Sequence, residues 1–194
     1  MKSELLDLKG GKSVFIGGLK ASGKTHLTRF LLNTRAKNDT IVVDTTKHEF
    51  PNNHRYLPTH TQYSPESITE MNLFINKHVL PKGYKIFAID EVNNWCPSMR
   101  PMPTSIEKIN EEIRHINPPM DAFIFTARRP ASVNTNLFEI ADYLIFFRLV
   151  GKNDIKKLDD IREGLGDIVR NLKDYHFVVL NQRRDMTVCS PVPS

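Results

Sequence analysis

The sequence predicts an α/β fold with a mostly parallel central sheet and helices on both of its faces. Short runs of apolar, β-branched and aromatic residues recur along the chain, and such runs are typical of strands that are buried on both faces. Segments with helical periodicity separate these runs, and this alternation is typical of βαβ units. The 194 residues suffice for a sizeable core, so we expect a single domain over residues 1–194.

The predicted strands form a larger group before residue 150 and a terminal pair after it. In chain order the first group is 13–17, 40–44, 85–91, 121–126 and 143–147, and the terminal pair is 175–180 with 186–188. Two helical stretches, 154–162 and 166–172, precede that pair. We therefore divide the domain into a core at about 12–150 and a helical and strand extension at 151–194.

Two of the predicted helices have recognisable first turns. Ser64 is expected to be the N-cap of the first, with Pro65 at its first helical position and Pro81 beyond its end. Residues 104–107 have the form of a capping box. The second helix is expected to continue from there to Ile116.

Residues 18–25 match the phosphate-binding pattern G-x-x-x-x-G-K-[ST] at every fixed position. They lie between the first predicted strand and a predicted helix over 26–32, which is the context that the pattern requires. Glycines let backbone N–H groups turn towards an anion, and the helix amino terminus adds partial positive charge. The nucleotide-binding residues that this pattern predicts are Gly18, Leu19, Lys20, Ala21, Ser22, Gly23, Lys24, Thr25 and His26.

The pattern also assigns roles to side chains and predicts two cofactors, ATP and Mg²⁺. Lys24 is expected to reach the β and γ phosphates as a catalytic residue, and Thr25 to place its hydroxyl on Mg²⁺. The apolar run at 86–89 leads into two adjacent carboxylates. Asp90 is the predicted metal ligand, and Glu91 is the catalytic residue that positions the attacking water. The sequence thus predicts a P-loop NTPase that hydrolyses ATP.

The predicted strand 40–44 comes between the phosphate-binding loop and the carboxylate strand. We interpret it as the strand that separates these two in the sheet. Such a separation favours the RecA-like, additional-strand class of P-loop NTPases, in which the catalytic residue is a glutamate, over the kinase and GTPase class.

Composition narrows the protein class. Hydrophobic residues make up 40% of the chain and charged residues 25%, and the net charge of +5 suits an anionic partner. Cys96 and Cys189 are too few for a disulfide framework or a cysteine-only zinc site. No apolar run approaches the ~20 residues of a membrane-spanning helix, and the amino terminus lacks an apolar signal core. We therefore expect a cytoplasmic protein.

Three segments, 114–116, 122–133 and 141–148, resemble the core of the FtsK/HerA superfamily of DNA-translocating ATPases in order and spacing. They supply an arginine after the carboxylate strand, an apolar strand ending in Thr-Ala-Arg-Arg-Pro, and a closing strand. Asp44 with Glu49 and the following phenylalanine resembles a further element of that family. The resemblance covers about residues 12–150.

The resemblance implies roles for four further residues. Thr126 and Arg128 are candidate sensors, although Arg128 stands where the family usually has a glutamine, and its alternative is to face solvent. Arg114 matches a catalytic finger that acts on the neighbouring subunit's nucleotide, and its alternative is to complement a helix carboxyl terminus. Arg129 matches the family's Arg-Pro element as a further catalytic candidate, and its alternative is to line the subunit interface.

The proline-rich segment 93–103 follows directly on the two carboxylates. Trp95, Met99 and Met102 are expected either to pack on the edge of the sheet or to contact a neighbouring subunit. This segment is also the first candidate to face DNA.

A core of this size resembles the small viral ATPases that package double-stranded DNA. The resemblance implies a ring-shaped homo-oligomer, a pentamer or hexamer, with double-stranded DNA and capsid or portal proteins as partners. It also implies a location in the host cytoplasm or in association with the virion. Two alternatives stay open: a nucleotide-gated assembly scaffold of a virus or phage, and a deoxynucleoside kinase-like phosphotransferase. The chain lacks the C-x-x-C pairs typical of such kinases, which disfavours the second.

Overall fold

A computed structural model describes residues 6–193. The strands are β1 (Lys12–Gly17), β2 (Thr40–Val43), β3 (Arg55–Tyr56), β4 (Ile86–Ile89), β5 (Ala122–Ala127), β6 (Tyr143–Phe147), β7 (Phe177–Leu180) and β8 (Met186–Cys189). The α-helices are α1 (Lys24–Leu32), α2 (Pro65–Phe74), α3 (Thr104–Glu112), α4 (Thr135–Glu139), α5 (Lys152–Ile161) and α6 (Leu165–Arg170). A π-helical turn, Ile75–Val79, extends α2.

The strands form one eight-stranded sheet in the order β3-β2-β4-β5-β1-β6-β7-β8. The pairs from β3 to β6 are parallel, whereas β7 and β8 add to β6 as an antiparallel pair. This confirms the predicted α/β class with a mostly parallel sheet and a terminal strand pair.

The two faces of the sheet are covered by separate apolar clusters. Successive side chains of a strand point to opposite faces, so Phe15 belongs to one cluster while Val14 and Ile16 belong to the other. Met71 of α2 joins the cluster of Phe15, and Leu27 of α1 joins the opposite one. Helices therefore lie on both faces, as predicted. None of the helices between residues 6 and 193 is long and apolar enough to cross a membrane.

The strand that separates the phosphate-binding loop from the carboxylate strand is β5, and the assignment of residues 40–44 to that position is wrong. β5 pairs with β1 on one side and with β4 on the other, whereas β2 pairs with the far side of β4. Parallel strands are joined by crossovers that pass over the sheet, so chain order does not decide which strand lies between two others. The additional-strand arrangement itself is present.

Of the two helix caps predicted from the sequence, the structure confirms one and contradicts the other. Ser64 caps α2 as predicted, accepting a hydrogen bond from the Ser67 backbone N–H at 3.2 Å. The predicted capping box at 104–107 is wrong, because α3 begins at Thr104 and no side chain caps it. The Ser105 hydroxyl instead donates to Asn72 Oδ1 of α2 at 2.8 Å, so a contact between helices replaces the local one.

β3 and α4, of two and five residues, are too short to produce a periodic signal.

The proline-rich segment 93–103 has both a buried and an exposed part. Trp95 is fully buried and Met102 nearly so, and both belong to the same apolar cluster as Phe15. Met99 is 97% exposed and lies at a turn with a positive φ of 60°. Packing on the sheet therefore accounts for Trp95 and Met102 but not for Met99.

Arg114 lies at the amino-terminal edge of the parallel strands. It follows α3 in a 3₁₀ turn, Ile113–His115, and its Nη2 donates to Asp142 Oδ1 at 2.5 Å. Asp142 is buried just before β6, where its other oxygen accepts the Ser13 backbone N–H at 3.0 Å. The Arg114 side chain thereby ties α3 to β1 and β6.

We expect Arg114→Ala to lower the free energy of unfolding by about 1–3 kcal/mol, because it removes a charge-assisted hydrogen bond from a buried carboxylate. Urea unfolding monitored by circular dichroism measures this. Arg170→Ala is the control, since its pair with Asp167 at 3.9 Å is exposed and such pairs contribute about 0–1 kcal/mol. Equal stability of the two variants would show that the contact with Asp142 is not structural.

Candidate nucleotide site

The phosphate-binding loop joins β1 to α1 at the carboxyl-terminal edge of the parallel strands. The Gly18 N–H donates to the Ala127 carbonyl of β5 at 3.2 Å, and the Leu19 N–H donates to the Arg148 carbonyl after β6 at 3.3 Å. Both strands that flank β1 thus hold the start of the loop. The loop is shaped by the sheet before any ligand enters it.

Two loop positions require glycine. A Cβ at Gly18 would lie 2.6 Å from Phe147 Cβ and 2.8 Å from Ser22 Oγ, closer than any side chain can approach. Gly23 has a φ of 112°, a backbone conformation that residues other than glycine rarely adopt. These constraints give the physical reason for the two fixed glycines of the pattern.

The Lys24 side chain folds back into the loop. Its Nζ donates to the Gly18 carbonyl at 2.8 Å and to the Leu19 carbonyl at 2.9 Å. Burial lowers the pKa of the ammonium group, and the negative charges of Glu91 and Asp90 oppose this shift. The ammonium group therefore lies within the electrostatic reach of both carboxylates, although they follow a strand two positions away in the sheet.

Thr126 links the two carboxylate residues. Its hydroxyl donates to Asp90 Oδ1 at 2.8 Å and accepts the Glu91 backbone N–H at 3.1 Å. Burial raises the pKa of Asp90 to about 6, the Thr126 hydrogen bond and Lys24 oppose the rise, and Glu91 adds to it. Asp90 is thus a buried carboxylate whose ionised form an additional positive charge would stabilise. This is the environment expected of a carboxylate that binds a metal ion.

Glu91 is held by both its backbone and its side chain. Its φ of 55° places it in the left-handed region, which is unusual for a residue other than glycine and is often found at functional sites. Arg128 Nε donates to Glu91 Oε1 at 2.9 Å. Arg128 therefore contacts the predicted catalytic glutamate rather than facing solvent alone.

The other two predicted arginines are not paired with these carboxylates. Arg129 follows β5 at the same edge as the loop, is about half exposed, and donates from Nε to buried Asp154 at 3.3 Å. Arg114 is at the opposite edge, about 20 Å away along the six residues of β1. The fold therefore brings together Lys24, Asp90 and Glu91 but leaves Arg114 remote from the site of its own chain.

The residues present fit Mg²⁺. Proteins hold this ion through one or two oxygen ligands together with phosphate and water, and the Thr25 hydroxyl and Asp90 carboxylate are donors of that kind. Between residues 6 and 193 no cluster of three or more His, Cys, Asp or Glu side chains is placed to hold a metal. Mg²⁺ bound by Thr25 and Asp90 would complete its coordination with phosphate and water oxygens.

A cavity of about 580 Å³ opens beside the loop, within the range of small-molecule sites. Its walls come from the loop, α1, Glu49 and the segments at 147 and 175–192; in sequence order they are Lys20, Ala21, Ser22, Gly23, Lys24, Thr25, His26, Arg29, Glu49, Phe147, Tyr175, Phe177, Pro191 and Val192. Sequence patterns predict the first group but not the residues from the carboxyl-terminal extension. No motif marks those, since their proximity to the loop depends on strand pairing.

His26 and Arg29 of α1 lie at the rim of this cavity. His26 Nε2 is 3.0 Å from the Pro193 carbonyl, and Arg29 Nε donates to the Glu49 carbonyl at 2.6 Å. Asp44 has a structural role beside them, because Oδ2 accepts the Phe50 N–H and Arg55 Nη1, each at 3.2 Å. The predicted Asp44–Glu49 element thus orders the segment that follows β2.

No protein-family model matches the chain, and no curated protein matches it in sequence. Among solved structures, it is similar to the genome packaging NTPase B204 from Sulfolobus turreted icosahedral virus 2. The complex of B204 with AMP has a TM-score of 0.76 and 16% identity over 97% of this chain and 100% of that chain. The complex with ATP-γS has a TM-score of 0.74 at the same identity and coverage.

The pCW3 conjugation coupling protein TcpA is similar over 94% of this chain and 60% of its own, with a TM-score of 0.61 and 14% identity. The N-terminal domain of zonular occludens toxin from Neisseria meningitidis has a TM-score of 0.52 and 14% identity, over 94% of this chain and 95% of that chain. These similarities confirm the predicted P-loop NTPase fold and the structural resemblance to viral genome-packaging ATPases.

Proposed function

We propose that the protein is an Mg²⁺-dependent ATPase whose loop and carboxylates act on the terminal phosphate of ATP. The observation that carries this proposal is the buried Lys24 ammonium, held by loop carbonyls beside Asp90 and Glu91. A cation at this point supports binding of an anionic phosphate, and neighbouring carboxylates support a metal ion and an activated water.

Each side chain has a distinct part in this proposal. Lys24 exchanges the two loop carbonyls for phosphate oxygens. Thr25 and Asp90 would hold Mg²⁺, which would supply positive charge to neutralise the phosphates. Glu91 positions the attacking water once its carboxylate leaves Arg128. The γ-phosphate provides Arg128 with another anionic acceptor, so nucleotide binding favours that exchange. Thr126 holds the Asp90 carboxylate and the Glu91 backbone in a fixed relation.

We further propose that hydrolysis drives translocation of double-stranded DNA, as in packaging of a viral genome into a capsid. The fold shared with an NTPase described as genome packaging and the net charge of +5 support this. A motor that moves along any sequence must grip phosphates, and a ring repeats each basic contact by its symmetry. The proposed assembly is a pentameric or hexameric ring that works with capsid or portal proteins.

The two unassigned arginines are candidates for the finger that one subunit offers to the next. Arg129 is half exposed at the edge that carries the loop, so a neighbour that packs at this edge meets it directly. Arg114 serves this role only if the ring places the amino-terminal edge of one subunit's sheet, where Arg114 lies, against the neighbour's nucleotide. The position of Arg129 therefore makes it the stronger candidate.

Lys24→Ala and Glu91→Gln should separate binding from turnover. Lys24→Ala loses ATP affinity together with hydrolysis, because a charge-assisted phosphate contact is removed. Glu91→Gln retains affinity and loses roughly two or more orders of magnitude in turnover, because water is no longer positioned by a carboxylate. Phosphate release and calorimetric ATP binding, each with Mg²⁺, measure the two effects.

Glu111→Gln is the matched control for the glutamate, since Glu111 is exposed on α3, and it should hydrolyse ATP at the unaltered rate. Hydrolysis by Glu91→Gln at that same rate would exclude Glu91 as the catalytic residue. Binding without turnover in the unaltered protein would favour the nucleotide-gated scaffold instead.

Double-stranded DNA of any sequence should stimulate the ATPase, since phosphates are the same along every duplex. The duplex concentration for half-maximal stimulation should rise by orders of magnitude between about 50 and 200 mM salt, because binding releases counterions. Duplexes of different sequence and single-stranded RNA are the comparison ligands. A strong preference for one duplex sequence, stimulation by RNA alone, or no response in an assembled ring would each contradict translocation.

A further inference from the structure

The carboxyl-terminal extension supplies an apolar wall to the cavity beside the phosphate-binding loop. Phe177 lies on β7, and its ring centroid is 5.2 Å from that of Phe147 on β6. Pro191 and Val192 follow β8 and complete the wall. Because β7 pairs with β6 and β8 pairs with β7, the sheet fixes the position of Phe177 relative to the loop.

The free end of this wall is fastened to the opposite side of the cavity. The Pro193 carbonyl lies 3.0 Å from His26 Nε2 in the first turn of α1. The extension therefore spans from β7 across the cavity to the helix that begins at the phosphate-binding loop.

Tyr175 stands at the mouth of the cavity beside the loop. Its side chain is 58% exposed although it is a large aromatic group, and its φ of 61° lies in the left-handed region. A Cβ built on Gly23 would be 3.5 Å from Tyr175 Cδ1, so the ring lies next to the loop glycine. A residue other than glycine with a positive φ is often found at a functional site, and at Tyr175 it coincides with an exposed aromatic ring.

The Tyr175 ring also divides two recesses. It borders the cavity of about 580 Å³ and a second recess of about 370 Å³ lined by Leu19, Arg148 and Val150. The larger cavity contains Lys24 and Thr25, whereas the smaller does not. Lys20, Ala21 and Ser22 of the loop border both recesses, but only the larger one joins Lys24 and Thr25 to the wall, so we expect a ligand whose phosphates occupy the loop to extend there.

We propose that the exposed part of this wall, Tyr175 with Pro191, binds the base of a purine nucleoside triphosphate, with Tyr175 as its stacking partner, whereas Phe177 and Val192 are buried within the wall. This inference rests on the proposed nucleotide site and assigns the extension to it. Base–aromatic stacking contributes about 1–3 kcal/mol per base, and a purine offers a larger face than a pyrimidine. Apolar walls with few polar groups are typical of such sites.

The test compares ATP with inorganic tripolyphosphate, which carries the phosphates but no base. Isothermal titration calorimetry with Mg²⁺ should show that the unaltered protein binds ATP more tightly than tripolyphosphate and more tightly than CTP. Tyr175→Ala should weaken ATP binding about 5- to 150-fold, the equivalent of about 1–3 kcal/mol, and leave tripolyphosphate binding unchanged. Tyr175→Phe should restore the affinity for ATP, because stacking needs the ring and not the hydroxyl.

Val150→Ala is the matched control, because Val150 is exposed and borders only the smaller recess. It should leave both affinities unchanged. Equal binding of ATP and tripolyphosphate by the unaltered protein, or unchanged ATP affinity in Tyr175→Ala, would overturn the base wall while leaving the phosphate site intact. Failure of the unaltered protein to bind either ligand would overturn the proposed nucleotide site and this inference with it.

Discussion

The buried ammonium group of Lys24 is the charge around which the site is arranged. Two loop carbonyls compensate for its desolvation in the free protein, and Asp90 and Glu91 lie within its electrostatic reach. A buried cation that is partnered by neutral dipoles is held at high free energy compared with one that meets an anion. The loop geometry therefore keeps a positive charge ready for phosphate.

The order of the strands makes this arrangement work. β5 lies between β1 and β4, so Thr126 can bond to both residues of the carboxylate pair from the neighbouring strand. Arg128 follows two residues later and reaches Glu91. β5 and the residue that follows it by one position thus provide a hydroxyl that holds the Asp90 carboxylate and the Glu91 backbone. They also provide a guanidinium that pairs with the Glu91 carboxylate until another anion is present.

Local chemistry made much of the site predictable, and long-range pairing explains the rest. The loop pattern predicted both Gly18 and Gly23, but only the positive φ of Gly23 is a local demand, since Phe147 of β6 is the group closest to a Cβ at Gly18. Apolar runs predicted every strand except β3 within a few residues. The position of β5 and the contribution of Tyr175 were not predictable, because both depend on pairing between segments far apart in the chain. Arg128 was identified as a candidate sensor, but its contact with Glu91 requires the folded sheet.

A structure of the protein with Mg²⁺ and a non-hydrolysable ATP analogue tests the central claim most directly. We predict that Lys24 Nζ leaves the Gly18 and Leu19 carbonyls for phosphate oxygens and that the metal lies between Thr25 and Asp90. Phosphates bound away from the loop, or Lys24 still bonded to both carbonyls beside a bound nucleotide, would contradict it.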